Sequence, residues 1–177
     1  EDNRSDSLNG TTTLFNVEIA EFSDSTKTIT ELLNGLNSIT ERNYSTEDLN
    51  TNDANTSEII DASAITTLFG TAAAANTAYQ SSGISGLGNE SVTLSDKSLA
   101  SSVLNTLDDN TTGAVNAATV TTLTGTAATA NTAYASSGIS GLGNEAVTIS
   151  DTSLASTVLN TLDGNTSGAV NAATVTT

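Results

Sequence analysis

The sequence predicts an α/β fold, namely a repetitive right-handed solenoid of strands and helices with a parallel sheet and two coils per repeat. Residues 70–122 return as residues 125–177 with 8 differences, at a period of 55 residues. Short segments alternate apolar and polar residues, and longer segments place apolar residues at helical spacing. A fixed period is typical of stacked arrays, in which each unit buries its apolar face against its neighbours. An all-β solenoid is the alternative, because the abundant threonine favours strands.

The repeat divides the chain into four parts. Residues 1–37 form an acidic N-terminal segment, residues 38–69 a degenerate repeat, residues 70–124 the first repeat, and residues 125–177 a second, truncated repeat. The second repeat stops where the first one continues, and the chain contains no methionine. These features predict an internal piece of a longer protein.

One half of the repeat predicts a strand followed by a helix. Residues 146–150 alternate apolar and polar side chains, as a half-buried strand does. Asp151 follows where a helix N-cap accepts hydrogen bonds from free backbone N–H groups. Three apolar residues then recur at spacings of four and predict one helix face: Leu154, Val158 and Leu162. Gly164 and Gly168 flank the expected helix end, where positive φ angles favour glycine.

The other half of the repeat predicts a second strand and helix. Residues 113–117 read as a short strand, and residues 136–144 as a glycine-rich loop. Between them, apolar residues at spacings of three and four predict a helix: Val120, Leu123, Ala127, Ala130 and Tyr134. Asn116 and Asn171 follow the short strands, so we expect their side chains to form a ladder along the stack.

Composition limits the possible partners and activities. The chain has 20 acidic and 4 basic residues, a net charge of −16, which argues against nucleic acid as a partner. Histidine and cysteine are absent, so the usual catalytic bases and thiol nucleophiles are missing, and we expect no enzyme and no catalytic residues. No apolar run approaches the ~18 residues of a membrane span. The expected partners are neighbouring repeats of the same long chain.

A calcium site is the one metal site that the sequence suggests. Residues 163–170 match the first half of a calcium loop, with oxygen ligands at alternate positions and glycine at the sixth. The candidate ligands are Asp163, Asn165 and Ser167, and in the first repeat Asp108, Asn110 and Thr112. The acid expected at the twelfth position is a threonine, so a polar turn between helix and strand is the alternative.

Tyr79 and Tyr134 are the candidate ligand-binding residues. Each ends an apolar helical stripe, and an exposed ring there would stack on a sugar. The alternative is a half-buried side chain that fills a gap and keeps its hydroxyl in water.

Residues 123–177 resemble the tandem arrays of giant secreted RTX-type (hemolysin-type calcium-binding) surface and adhesin-like proteins of marine cyanobacteria and related bacteria, and this resemblance extends over roughly residues 38–177. The segment LFNVEIAEFSD, residues 14–24, resembles the tail that follows an RTX block. The Gly-Gly-x-Gly-x-Asp nonapeptides of that family are absent from this chain, so its β-roll calcium sites are not carried over. The resemblance implies an extracellular or cell-surface setting.

These observations predict an extracellular structural or spacer repeat module within a giant adhesin-like protein. One alternative is a calcium-responsive module that binds a glycan or a surface. A second alternative is a self-assembling extracellular filament subunit that stacks end to end.

Overall fold

Short strands alternate with helices along the described chain. The computed structural model describes residues 38–176, which belong to one unit, Asn37–Thr177. Within these residues the helices are α1 Thr46–Ala54, α2 Ala72–Gln80, α3 Ser101–Asn110, α4 Ala127–Ala135 and α5 Ser156–Asn165. The strands are β1 Asn43–Ser45, β2 Ile60–Asp61, β3 Thr67–Gly70, β4 Ile84–Ser85, β5 Ser91–Leu94, β6 Ser98–Ala100, β7 Val115–Asn116, β8 Thr122–Gly125, β9 Ile139–Ser140, β10 Ala146–Ile149 and β11 Val170–Asn171. The acidic segment and its RTX-like tail lie outside the described residues.

The strands form three parallel sheets, so the predicted α/β class with parallel pairing is confirmed. Their orders are β1-β3-β5-β7-β9, β6-β8-β10-β11 and β2-β4. Each helix packs against the next one along the chain, from α1 to α5. Parallel neighbours need a crossover connection, and a helix lies between the two strands of every pair in the described chain.

Two kinds of coil alternate along the described chain. We call residues 43–61, 98–116 and 153–171 the odd coils, because they contain α1, α3 and α5. Residues 67–85 and 122–140 are the even coils, which contain α2 and α4. Members of each kind are separated by the repeat period of 55 residues or twice that.

The core consists of apolar ladders that run across the sheets. In the first sheet Leu68 pairs with Val92, which pairs with Val115, and all three are at most 1% exposed. In the second sheet Leu123 pairs with Val147, and both are equally buried. Burying a side chain of this size stabilises the fold by about 1.5–3 kcal/mol. The sheets therefore supply much of the stability of the stack.

The predicted helix from Val120 to Tyr134 is wrong in its first third. Residues Thr122–Gly125 form a strand, and the helix begins only at Ala127. Gly125 has a φ of 140°, which no helix accepts, and Thr126 caps the helix by accepting from the backbone N–H of Thr129. A buried strand also places its apolar side chains inward, so Leu123 reaches the core without being helical.

The predicted cap by Asp151 is also wrong. Helix α5 begins at Ser156, its N-cap is Ala155 without a side-chain bond, and Leu154 precedes the helix. Asp151 Oδ2 instead accepts from the backbone N–H of Ala127, 2.7 Å away. The carboxylate thus caps helix α4, which lies one coil earlier in the chain. Asp96 does the same for Ala72 of α2, at 2.8 Å.

Gly164 and Gly168 do not adopt the positive φ angles that we expected. Gly164 lies inside α5, and a Cβ there would meet no heavy atom within 4 Å. A Cβ on Gly168 would lie 2.2 Å from the carbonyl oxygen of Glu145. Gly168 is therefore required for a close backbone approach, whereas Gly164 is not required by its surroundings.

Replacing each of the two glycines with alanine is expected to change the free energy of unfolding in opposite directions. Gly164→Ala is expected to raise the free energy of unfolding by up to about 1 kcal/mol, because alanine favours helix over glycine. Gly168→Ala is expected to lower it by about 2 kcal/mol, because the new methyl group overlaps the Glu145 carbonyl. Urea denaturation followed by circular dichroism measures both. Equal effects of the two substitutions would contradict the assignment.

Candidate functional site

Each repeat contains a buried cluster of a tyrosine and a glutamate. Glu90 and Glu145 are fully buried, at 0% exposed. Glu145 Oε2 accepts from the Tyr134 hydroxyl at 3.0 Å and from the backbone N–H of Gly143 at 2.8 Å. Glu90 Oε2 makes the matching bonds to Tyr79 at 3.0 Å and Gly88 at 2.8 Å. The same tyrosine and glycine bonds therefore recur in both copies.

The cluster joins elements of successive coils. Tyr134 lies in the last turn of α4, and Glu145 immediately precedes β10. Thr166, which follows α5, donates its hydroxyl to the backbone carbonyl of Glu145 at 2.7 Å. The turn after an odd helix is thereby fixed to the cluster of the preceding even coil. The close approach of Gly168 to the same carbonyl completes the contact.

The tyrosines of these clusters are held in their neutral form. Burial raises the pKa of Tyr134 to about 12, and hydrogen bonding to Thr166 opposes part of this rise. Burial also raises the pKa of Tyr79. A neutral hydroxyl is the form that donates to a carboxyl oxygen, so burial and the hydrogen bond to glutamate favour the same state.

One oxygen of each glutamate has no partner among residues 38–176. Glu90 Oε1 and Glu145 Oε1 are both buried and make no hydrogen bond within that range. Burying an unpaired polar atom costs free energy, so the bonds that Oε2 accepts must offset it. Oε2 of Glu145 accepts two bonds, and Oε2 of Glu90 accepts a third from the backbone N–H of Asn89 at 3.2 Å. The clusters are thus polar contacts that depend on all of their members being present.

Both candidate ligand tyrosines belong to these clusters. Tyr79 and Tyr134 are half-buried, as one of the two interpretations predicted, but their hydroxyls contact glutamate instead of remaining in water. Their role in binding a sugar stays a prediction. The glutamates were missed because a lone acid after Gly-Asn reads as a solvated loop, although Glu90 and Glu145 recur one period apart.

The candidate calcium ligands of the first repeat bond to neighbouring coils. Asp108 and Asn110 lie in the last turn of α3, so they do not share one loop with Thr112. Asp108 Oδ2 accepts from the Ser136 hydroxyl at 2.6 Å, and Asn110 Nδ2 donates to Asn76 Oδ1 at 2.9 Å. Thr112 donates to the Gly88 carbonyl at 3.3 Å.

The second set behaves in the same way. Asn165 Nδ2 donates to Asn131 Oδ1 at 2.9 Å, and Ser167 donates to the Gly143 carbonyl at 3.2 Å. Asp163 lies on α5 and makes no side-chain bond to any described residue. Residues 38–176 contain no group of three or more acidic, histidine or cysteine side chains arranged to hold a metal. The calcium assignment stays a prediction.

The expected asparagine ladder at Asn116 and Asn171 is wrong. Each side chain accepts from the backbone N–H two residues later, in a local turn at 3.0 and 3.1 Å. Asparagines of the helices make the connections between coils instead. Asn50 donates to the Ala74 carbonyl at 2.9 Å, and its copy Asn105 donates to the Thr129 carbonyl at 3.0 Å.

Comparison with protein-family models, with curated proteins and with solved structures finds no match to this chain. Over residues 38–176, no helix combines the length and apolar character needed to cross a membrane.

The Tyr134 hydroxyl is expected to stabilise the stack, since its bond serves a buried acceptor. Tyr134→Phe should lower the free energy of unfolding by about 1–3 kcal/mol. Tyr44→Phe is the control, because the Tyr44 hydroxyl only accepts from the exposed Asn52 amide at 2.7 Å. The control should change stability by no more than about 0.5 kcal/mol. Urea midpoints of both variants measure the difference, and a Tyr134→Phe effect no larger than the control would refute the role.

Alkaline pH is expected to destabilise the fold through these tyrosines. Below pH about 10 the hydroxyl is protonated in both the folded and unfolded chain, so its contribution is fully present. Between pH 10.0 and about 12 the unfolded chain loses this proton while Tyr134 retains it, and stability falls. Urea midpoints across that range should fall less steeply for Tyr134→Phe than for the native chain. Tyrosinate absorbance of folded Tyr134 appearing near pH 10 would contradict the prediction.

Proposed function

We propose that residues 38–176 form a solenoid segment that acts as a structural spacer in an extracellular or cell-surface adhesin-like protein. The proposed solenoid is right-handed, with two coils in each 55-residue repeat. The observation that carries the proposal is that the recurring polar side chains bond one coil to the next. Because the recurring side chains hold neighbouring coils together, the module suits a mechanical role.

The same inter-coil bonds recur in both copies of the repeat. Ser81 donates to Asp53 Oδ2 at 2.6 Å, and Ser136 donates to Asp108 Oδ2 at 2.6 Å. The tyrosine–glutamate clusters and the aspartate caps of α2 and α4 are likewise duplicated. Near-identical copies are what a spacer needs, because its length is then set by the number of units.

The extracellular setting is proposed from the sequence. The chain lacks cysteine and is strongly acidic, with a net charge of −16, which suits solubility at an exposed surface. The resemblance to arrays of giant secreted RTX-type proteins supports the same setting.

Removing one whole repeat tests the spacer role. Deletion of residues 101–155 joins Ala100 to Ser156, which begins the equivalent helix in the next copy. The shortened chain is expected to melt cooperatively, because odd and even coils still alternate and each remaining coil contacts the kind of neighbour that it has in the full chain. Thr51→Cys and Thr161→Cys place spin labels at equivalent exposed helix positions in a chain without cysteine. Their separation should fall by roughly 10–20 Å, the advance of two coils.

A deletion of one coil is the matched control. Removing residues 101–126 joins Ala100 to Ala127 and stacks two even helices on each other. This deletion should abolish the cooperative melt, because Asp108 and Asn105 are lost together with their contacts to α4. An unchanged label separation after the whole-repeat deletion, or equal tolerance of both deletions, would refute the spacer proposal.

A further inference from the structure

The last described odd coil has a side that is buried in the other two odd coils. Leu49 and Leu104 are 0% exposed, but the equivalent Leu159 is only partly buried. Strand β11 shows the same difference, because Val115 is 0% exposed and its copy Val170 is partly buried. We call this side the α5 face, and its apolar residues are Leu154, Leu159, Val170, Ala172 and Val175.

In the first two odd coils an even coil covers this face with directed side-chain bonds. Ser101 donates to the Thr124 carbonyl at 3.2 Å, and Asn105 donates to the Thr129 carbonyl at 3.0 Å. Asp108 accepts from the Ser136 hydroxyl. The first odd coil repeats these three bonds with Thr46, Asn50 and Asp53.

The equivalent side chains of α5 have no such partners within the described chain. They are Ser156, Asn160 and Asp163, and none of them bonds to another side chain or to the backbone of another coil among residues 38–176. In two odd coils an even coil therefore supplies hydrogen-bond partners for these polar side chains. In the third odd coil the same side chains have no such partner among the described residues.

Backbone groups extend the same pattern along the strand. The N–H groups of Val115 and Ala117 donate to the carbonyls of Gly138 and Ser140, each at 2.8 Å. The N–H groups of Val170 and Ala172 find no acceptor among the described residues. Because an open strand edge pairs readily with another strand, the α5 face carries a row of donors and an apolar surface together.

The internal contacts define the chemistry of the partner. A Cβ on Gly138 would lie 2.1 Å from Asp108 Oδ1, so the covering coil needs glycine there, and Ser136 supplies the hydroxyl. Both even coils carry Ser-Ser-Gly after the helix, at residues 81–83 and 136–138. The turn after α3 is Thr-Thr-Gly at residues 111–113, and its Thr111 hydroxyl donates to the Glu90 carbonyl at 2.7 Å instead of to an aspartate. Thr166 after α5 bonds to the Glu145 carbonyl in the same way, so the bond to aspartate belongs to the even coils of the described chain.

We propose that the α5 face is a binding surface for an even coil, a strand–helix–strand segment with the sequence pattern of residues 122–140 that is not part of a second copy of this chain. Continuity with the two internal interfaces carries the proposal. The inference rests on the spacer proposal and deepens it, because it specifies which unit a stack accepts next. It also implies that two copies stacked through α5 and α1 bring two odd coils together and do not reproduce the internal contact.

Extending the 177-residue chain tests the surface directly. A copy of residues 123–150 is added after Thr177, which continues the repeat in register. The control adds residues 98–125, an odd coil of equal length. Hydrogen exchange of the Val170 and Ala172 amides is the readout, and the internal amides of Val115 and Ala117 are the reference.

The even extension should slow exchange at Val170 and Ala172 by about tenfold or more, towards the rates of the reference amides. The odd extension should leave both amides fast. Asn160→Ala combined with Asp163→Ala should reduce the protection gained from the even extension, with no effect on the unextended chain. These substitutions leave the apolar core intact, so the variant is expected to fold.

Three results would overturn the proposal. They are equal protection by both extensions, no protection by the even extension, and protection in the unextended chain that rises with its concentration. The last result would show that the face takes a second copy. The spacer proposal has its own test, the whole-repeat deletion. If that variant melts cooperatively and its label separation is shorter, the spacer proposal stands even when the α5 face fails its test.

Discussion

The structure depends on hydrogen bonds in which one coil satisfies the free backbone groups of a neighbouring coil. Asp96 and Asp151 accept from the first N–H groups of helices that precede them by one coil. Glu47 accepts from the backbone N–H of Thr71 at 3.0 Å, before α2. Since helix termini leave four backbone groups unsatisfied, a single coil has no complete set of partners. Stability is therefore a property of adjacent coils, as nearest-neighbour models of repeat proteins assume.

Local sequence patterns predicted the class of fold and several elements. The strand at Ala146–Ile149 and the short strand at Val115–Asn116 follow from alternation, and two helices per repeat follow from spacing. The predicted helix boundaries were wrong where a helical and a strand pattern overlap in the sequence. Val120 and Leu123 fit a helical stripe, but buried strands show the same apolar residues, and Gly125 decides between the two.

Partners distant in sequence could not be predicted in this way. An aspartate before an apolar stripe has the same local pattern whether it caps its own helix or, like Asp151, one that lies earlier in the chain. Only the tyrosines of the tyrosine–glutamate cluster could be predicted as special positions, because they end apolar stripes. The glutamates lie in glycine-rich segments that resemble solvated loops. Only the repetition of Glu90 at Glu145 marked them as more than solvated acids. A comparison of positions one period apart is thus the most informative reading of such a chain.

The near-identity of the two copies also has a kinetic consequence. Of the 8 differing positions between them, only Leu94, which is isoleucine in the second copy, is buried in the core. During folding, a strand therefore meets two almost equivalent partners one period apart, and a misplaced pairing loses little core contact. Misassembly between similar repeats is a common failure of such proteins. The alternation of odd and even coils limits these errors to shifts by a whole repeat, because a shift by one coil brings together faces whose polar groups do not match.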